Sequence, residues 1–311
     1  LALFRFKAVV IDVLVVGDYG AIQHYDGVTW TPMNTRIPTS QINAIWGSSP
    51  TDVLAAGDSG TFFRYDGTSW PVESAPTPGG DHVNGIWGTS ASNVFGVGYD
   101  GTIVHYDGAE WSAMDSPVLV SWNAVWGTAP DDVFAVGELG TIVHFDGASW
   151  SVSRPSPSGG FLADLWGSSP TNVFAVGLGG YEVVWWDGSA WSWWWLPPLL
   201  PADWYGIWGS AAANIFVVGS SGRISWFDGA SWSTVPSGTT ADLYDIWGSS
   251  PTNAFAVGDA GTLLRFDGAA WRAEPIPGGP EWLRAVWGSS ANNVFLGGRE
   301  GAILHRCGPA W

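Results

Sequence analysis

The chain has 311 residues, 46% of them hydrophobic and 13% charged, with 43 glycines, 20 prolines, 24 tryptophans and one cysteine. Its formal net charge of −17, from 28 acidic against 11 basic residues, argues against a nucleic-acid partner, because phosphates are met by lysine and arginine. The apolar fraction excludes global disorder, the lone Cys307 excludes an internal disulfide, and no stretch stays apolar and uncharged long enough to cross a bilayer.

The opening residues, LALFRFKAVVIDVLVVG, are hydrophobic but interrupted by Arg5, Lys7 and Asp12. They lack the layout of a signal peptide and are expected to belong to the fold. From there one unit recurs, and residues 125–150, VWGTAPDDVFAVGELGTIVHFDGASW, are its fullest copy. A tryptophan–glycine pair begins at Trp46, Trp87, Trp126, Trp166, Trp208, Trp247 and Trp287. A Gly-x-x-Gly turn begins at Gly17, Gly57, Gly98, Gly137, Gly177, Gly219, Gly258 and Gly298, at gaps of 40, 41, 39, 40, 42, 39 and 40 residues. So constant a period marks a repeat architecture and overrides the two-domain prior that length alone would set.

Each copy reads as four short strands. Strand a is the Leu/Ile-x-x-Ile-Trp-Gly segment, as in residues 42–47, and a Ser-Ser-Pro-Thr-Asp loop of turn formers follows it. Strand b, Val133 to Val136, is an apolar run of the kind buried on both faces. The Gly-x-x-Gly element is expected to make a tight hairpin, its flanking glycines permitting positive φ. Strand c then runs to an Asp-Gly corner at Asp26, Asp66, Asp107, Asp146, Asp187, Asp228 and Asp267, and strand d starts at the tryptophan that closes the unit. Small sheets with no helix between them bury both faces only by packing on one another, which predicts an all-β, eight-bladed β-propeller of four-stranded antiparallel blades, one domain over residues 1–311.

The first and last copies are atypical. Phe6 and Lys7 stand where the first tryptophan–glycine pair is due, and the last copy stops at Trp311. Two roles for residues 1–7 stay open: closure of the terminal blade, or an irregular strand a of blade one.

On these residues the chain resembles a family of bacterial tandem repeats with the consensus W-G-S-S-P-x-D-V-F-A-V-G-x-x-G-T-I-x-H-Y-D-G-x-x-W. Residues 45–70 and 246–271 match it nearly throughout. Members of that family are often assigned to the secreted or surface-exposed class, so the resemblance implies an extracytoplasmic location: secreted, periplasmic or on the cell surface. The Asp-Gly-x-x-Trp corner is also similar to the Asp-box of sialidase-like propellers, shortened by one residue. Both resemblances speak to fold far more than to function.

Chemistry-bearing residues are mostly explained by repetition. Fifteen of the 24 tryptophans fall at the two repeat positions and read as packing between blades, with their N–H groups on backbone partners. Thirteen of the 28 acids sit in the Asp-Gly corners or inside Gly-x-x-Gly turns. His24, His105, His144 and His305 share one place in strand c on different blades, so they do not converge on a metal, and no calcium-loop spacing is present. No nucleophile elbow or phosphate-cradling loop stands out, and Lys7 is the only lysine. No cofactor, metal or catalytic residue is assigned, and the chain is read as a non-enzyme.

One spacer departs from the pattern. Trp185, Trp186, Trp193, Trp194, Trp195 and Trp204 make six of the nine tryptophans outside repeat positions, beside Tyr205 and the apolar Leu199 and Leu200. Three consecutive tryptophans in a strand cannot share a face, so this stretch is the candidate interface patch. The spacers between strands d and a lie on the face of the b–c hairpins, where copies differ, and that face is the expected interaction surface. The function read from this is a non-catalytic interaction or structural module that binds a protein partner or self-assembles. A carbohydrate-binding propeller is the alternative, and a sialidase-like or lyase-type enzyme is the remoter one.

Overall fold

In a computed structural model, the described residues are 13–33, 41–77, 82–154, 160–179, 182–196, 202–276, 278–308 and 311. They form eight successive antiparallel sheets, and the fold is an eight-bladed β-propeller. The chain divides into two compact units, residues 1–155 carrying blades one to four and residues 156–311 carrying blades five to eight. Blades two to seven each have four strands in sequence order, while blades one and eight show three among the described residues. Both proposed roles of residues 1–7 fall outside the described residues.

Blade four shows why the unit folds as it does. Its strands are Trp122–Ala129, Asp132–Gly137, Ile142–Phe145 and Trp150–Arg154. Trp126, Phe134 and His144 pair across strands a, b and c in one row, and Val125, Ala135 and Val143 pair in the next, on the opposite face. Both rows are covered. In the first unit, Phe95, Val97 and Ile103 of blade three pack on Val125, Val133, Ala135 and Val143 of blade four. In the second unit, Phe216, Val218 and Ile224 of blade six meet Ile246, Ala254, Ala256 and Leu264 of blade seven in the same way. Strand b is therefore buried on both faces, and its aromatic member, fully buried as Phe95, Phe134, Phe174, Phe216 or Phe255, anchors blades three to seven, where blades one and two have Leu14 and Leu54.

The glycines do different work from that expected. The first glycine of each Gly-x-x-Gly element is extended, with φ −169° at Gly137, so positive φ is not its reason. A Cβ there would lie 2.1 Å from the Ser121 carbonyl oxygen, where the end of strand b passes the entry to strand a, and only glycine fits. The second glycine does take positive φ, 61° at Gly140, but so does the residue before it. Tyr19, Ser59, Asp100, Leu139, Ser221 and Ala260 all occupy this left-handed position, which costs a side-chain-bearing residue energy. The a–b loop is also shorter than expected. A register shift after Gly127 lets Ala129 pair with Asp132, so strands a and b reach within two residues of each other.

The paired Trp-Gly signature has a packing cause. A Cβ on Gly88 would sit 3.0 Å from Trp46 of the preceding blade, and one on Gly127 2.8 Å from Trp87. The second unit repeats this at Gly209 against Trp166, Gly248 against Trp208 and Gly288 against Trp247. Within each unit these strand-a indoles thus lie on the bare backbone of the next blade's glycine.

The strand-d tryptophans bond differently from the backbone pairing expected of them. Trp111 Nε1 donates to Glu73 Oε2 at 2.6 Å, Trp311 Nε1 to Glu274 Oε1 at 2.7 Å, and Trp70 and Trp150 to the sulfurs of Met33 and Met114. In these four bonds the acceptor is the side chain three residues into strand d of the preceding blade. In blades five and six that place holds Trp194 and Val235, which offer no acceptor. The Nε1 groups of Trp232 and Trp271 are accordingly buried without a partner among the described residues.

Candidate functional site

Three polar side chains recur in every blade from two to eight and have to be understood before a site is sought. In blade four, Thr128 Oγ1 donates to Asp132 Oδ2, and His144 Nε2 lies 2.7 Å from Asp132 Oδ1. Elsewhere the same places hold Ser289, Asn293 and His305, or Ser249, Asn253 and Arg265, or Ser210, Asn214 and Trp226. The residue types resemble a catalytic triad, but the hydroxyl bonds the carboxylate or amide and not the imidazole, so the order of a nucleophile–histidine–acid triad is not reproduced. In blades three to eight the strand-c donor also packs on the strand-b phenylalanine, as His144 does on Phe134 with centroids 4.3 Å apart. Burial pushes the His105 and His305 imidazoles below their ordinary value, keeping them neutral. These triads hold the a–b loop to strand c.

The Asp-Gly corners are likewise self-contained. Asp146 Oδ1 accepts the amides of Ala148 and Ser149, each at 2.9 Å, and the glycine after the aspartate takes φ 92°. The same two bonds recur at the other six corners. They hold these carboxyls below the usual range; at Asp267 the Arg272 guanidinium adds the largest share. The polar groups of the triads and of the Asp-Gly corners are thus occupied by the scaffold.

What differs from blade to blade is a set of three positions on the face of the b–c turns. The amide of the first turn residue donates to the carbonyl of the residue just before strand a's first core side chain, as Glu138 does to Ser121 and Asp259 to Asp242. A third position lies two residues further along strand a, and strands a of neighbouring blades run side by side within each unit. In the first unit this rim is polar: Gln41, Asn43 and Asp58, then His82, Asn84 and Tyr99, then Ser121, Asn123 and Glu138. Asn43 and Asn84 donate to the Val83 and Trp122 carbonyls of the next blade. His82 Nδ1 lies 2.7 Å from Asp58 Oδ1, and its ring packs on Tyr99 at 4.9 Å.

In the second unit the same positions are aromatic or charged in blades seven and eight, and blade six adds Asp203 and Tyr205. Tyr205 packs on Tyr244 at 5.3 Å, and the Arg284 guanidinium covers the Tyr244 ring at 3.6 Å. Arg284 also reaches Trp282 at 5.3 Å, and Arg299 stacks on Trp282 at 3.8 Å. The result is a run of rings and guanidinium groups across blades six, seven and eight. Tyr244 donates its hydroxyl to Asp259 Oδ2 at 2.8 Å. Arg284 Nη2 is 3.9 Å from Asp259 Oδ1, a loose ion pair that leaves Arg284 Nε and Asp259 Oδ1 buried without hydrogen-bond partners. Burial, with Asp242 and Asp203 nearby, pushes the Tyr205 phenol up to about 12.

The tryptophan-rich spacer is divided by the fold. Trp185 occupies the strand-c donor place and bonds Asn172 Oδ1 at 2.9 Å, and Trp186 donates to the Pro170 carbonyl and packs on Trp191. Trp194 sits against the core beside Phe227, centroids 5.6 Å apart, and Trp204 is a core residue of strand a at 3% exposure. Trp193, at 41%, is the solvent-facing member. Trp195 belongs to strand Trp191–Trp195, and Leu199 and Leu200 lie outside the described residues. Among the described members of the patch, Tyr205 is brought to the rim. The rim residues Tyr244 and Arg284 stand at the x-x positions of Leu/Ile-x-x-Ile-Trp-Gly, outside the variable spacers, and their only signal in the sequence is the change of residue type in that column from one copy to the next.

Among the described residues no helix is long and apolar enough to cross a membrane. No family model matches the chain, and no curated protein matches it. Its fold is similar to solved propellers. It aligns with "YCF48 bound to D1 peptide" at 16% identity over 98% of this chain and 99% of that one, with a TM-score of 0.67. It aligns with the computationally designed Ika8 protein at 14% identity over 98% and 95%, TM-score 0.80, and with the C-terminal WD40 domain of Sif2 at 9% identity over 96% and 93%, TM-score 0.74.

Proposed function

We propose that this propeller is a non-catalytic interaction module that recognises a protein partner through the rim formed by its b–c turns and strand-a entries. One observation carries the reading: scaffold positions hold the same side-chain chemistry in blade after blade, whereas the rim positions change from Asn43 and Asn84 to Tyr205, Tyr244 and Arg284. A surface that varies over an invariant frame is where a propeller can be specific. The peptide named with the YCF48 structure supports peptide binding on such a fold. The proposal includes an extracytoplasmic location, which rests on the resemblance of the repeats to secreted and surface proteins.

The test compares partner capture from the native source by the wild-type chain, by Tyr244→Ala with Arg284→Ala, and by Asp146→Asn on the opposite face. Specific partners should be lost with the rim pair and kept with Asp146→Asn. Capture indifferent to the rim pair overturns the proposal. A glycan-array signal abolished by the same pair would instead support the carbohydrate-binding alternative.

A further inference from the structure

We infer that the uncovered face of Tyr205 receives a lysine or arginine side chain presented by a partner protein; this rests on the rim being the recognition surface. In blades two and three the corresponding residues, Asn43 and Asn84, are used by the scaffold, tying one blade's strand a to the next. Tyr205 makes no such bond. One face of its ring is covered by Tyr244, and no aromatic ring or guanidinium among the described residues stacks on the other. At the matching place in blade five the chain has Ala163, a side chain too small to fill the space beside a phenol ring.

The site has the wall and the charge that a cation needs. Asp203, two residues before Tyr205, spends Oδ1 on the Gly179 amide at 2.8 Å, while Oδ2 has no hydrogen-bond partner among the described residues. Asp242 accepts the Ser221 amide at 2.7 Å and lies near the same ring. Phe161, 45% exposed, stands at the rim position of blade five and pairs in register with Leu178, next to Gly179. Aromatic surface flanked by carboxylates is the arrangement that attracts guanidinium and ammonium groups. The structure already contains the complementary half: Arg284 lies on the far face of the same tyrosine pair, 3.6 Å from the Tyr244 centroid. A partner cation on Tyr205 would continue the alternation of ring and cation by one member. The net charge of −17 would steer a basic segment toward the surface.

The experiment measures fluorescence polarisation of labelled, end-capped octapeptides with one central arginine, lysine, glutamate or alanine on an otherwise neutral background. Arginine and lysine peptides should bind at least tenfold more tightly than the alanine peptide, with added salt narrowing the gap. Tyr205→Ala should weaken them about tenfold and Asp203→Asn several-fold, while Tyr205→Phe, which keeps the ring, should bind nearly as wild type. Asp203→Asn retains an acceptor for the Gly179 amide, so it remains informative if Tyr205→Ala lowers the melting temperature. The inference fails if basic peptides bind no better than alanine, or if Tyr205→Ala and Asp203→Asn leave their affinity unchanged. Preferential binding of the glutamate peptide would likewise overturn it while leaving the rim as the interaction surface. Loss of rim-dependent partner capture would instead remove the broader proposal.

Discussion

Replacing Gly248 with alanine puts the tryptophan–glycine packing to a direct test. The new Cβ would lie 2.5, 2.7 and 2.8 Å from Cη2, Cζ2 and Cζ3 of Trp208. Carbon atoms rest at about 3.5–4.0 Å, so the indole must retreat by roughly 1 Å. Trp208 is packed against the core shared by blades six and seven and has little room to do so. Overpacking of this kind costs about 1–3 kcal/mol. At roughly 2 °C per kcal/mol for a chain of this length, the melting temperature should fall by about 2–6 °C. Gly47→Ala is the control, because the nearest atoms to its added Cβ are Val53 Cγ2 at 3.0 Å and the Asp52 carbonyl at 3.3 Å, both in its own blade. It should cost less than about 1 kcal/mol. Combining Gly248→Ala with Trp208→Phe supplies the decisive leg, since the smaller ring makes room and the two changes should couple by about 1 kcal/mol. Thermal melts followed by circular dichroism read wild type, the two glycine variants, Trp208→Phe and the double variant. A Gly248→Ala protein as stable as wild type, or losses that simply add, would refute the packing explanation.

Other consequences follow from the same geometry. Val235→Gln places an acceptor where Glu73 and Glu274 stand in other blades; pairing the buried Trp271 Nε1 should stabilise the chain by about 1 kcal/mol, and an unchanged or lower melting temperature would count against the assignment. Trp194→Ala should destabilise by about 3 kcal/mol, as expected of a core aromatic, whereas Trp193→Ser should stay within about 0.5 kcal/mol; equal effects in urea titrations would contradict the division of that strand. The corner aspartates titrate lower in the folded chain than their ordinary 3.8, so their contribution is complete above that pH and disappears as pH falls through the folded values. His105 and His305, also lowered, remove stability earlier, as pH drops below 6.5. A melting temperature flat from pH 8 to 7, declining gently below 6.5 and steeply below 4, is expected, and Asp146→Asn should lessen the acid slope.

Much of the fold is legible in the chain itself because its cues are local. Val133 to Val136 announces a strand buried on both faces, and Asp146-Gly147 announces a corner whose bonds close within three residues. Where local reasoning met close packing it misjudged the cause. Gly137 looks like a turn glycine, yet it is extended and required by the Ser121 carbonyl. The strand-d tryptophans look like donors to backbone, yet Trp111 and Trp311 use glutamates of the blade before.

The candidate site lies at the other extreme. Trp193, Trp194 and Trp195 drew attention by being unusual, but Trp194 merely fills the place that Met33 or Glu73 fills elsewhere. Tyr205, Tyr244 and Arg284 are ordinary residues about 40 positions apart, and nothing in their neighbourhoods sets them together. The repeat period alone determined that this protein would be a propeller, since strand alternation and turn chemistry act over a few residues. Which side chains meet on its rim was decided by blade stacking, because only packing one sheet on the next brings equivalent positions of successive repeats within reach of each other.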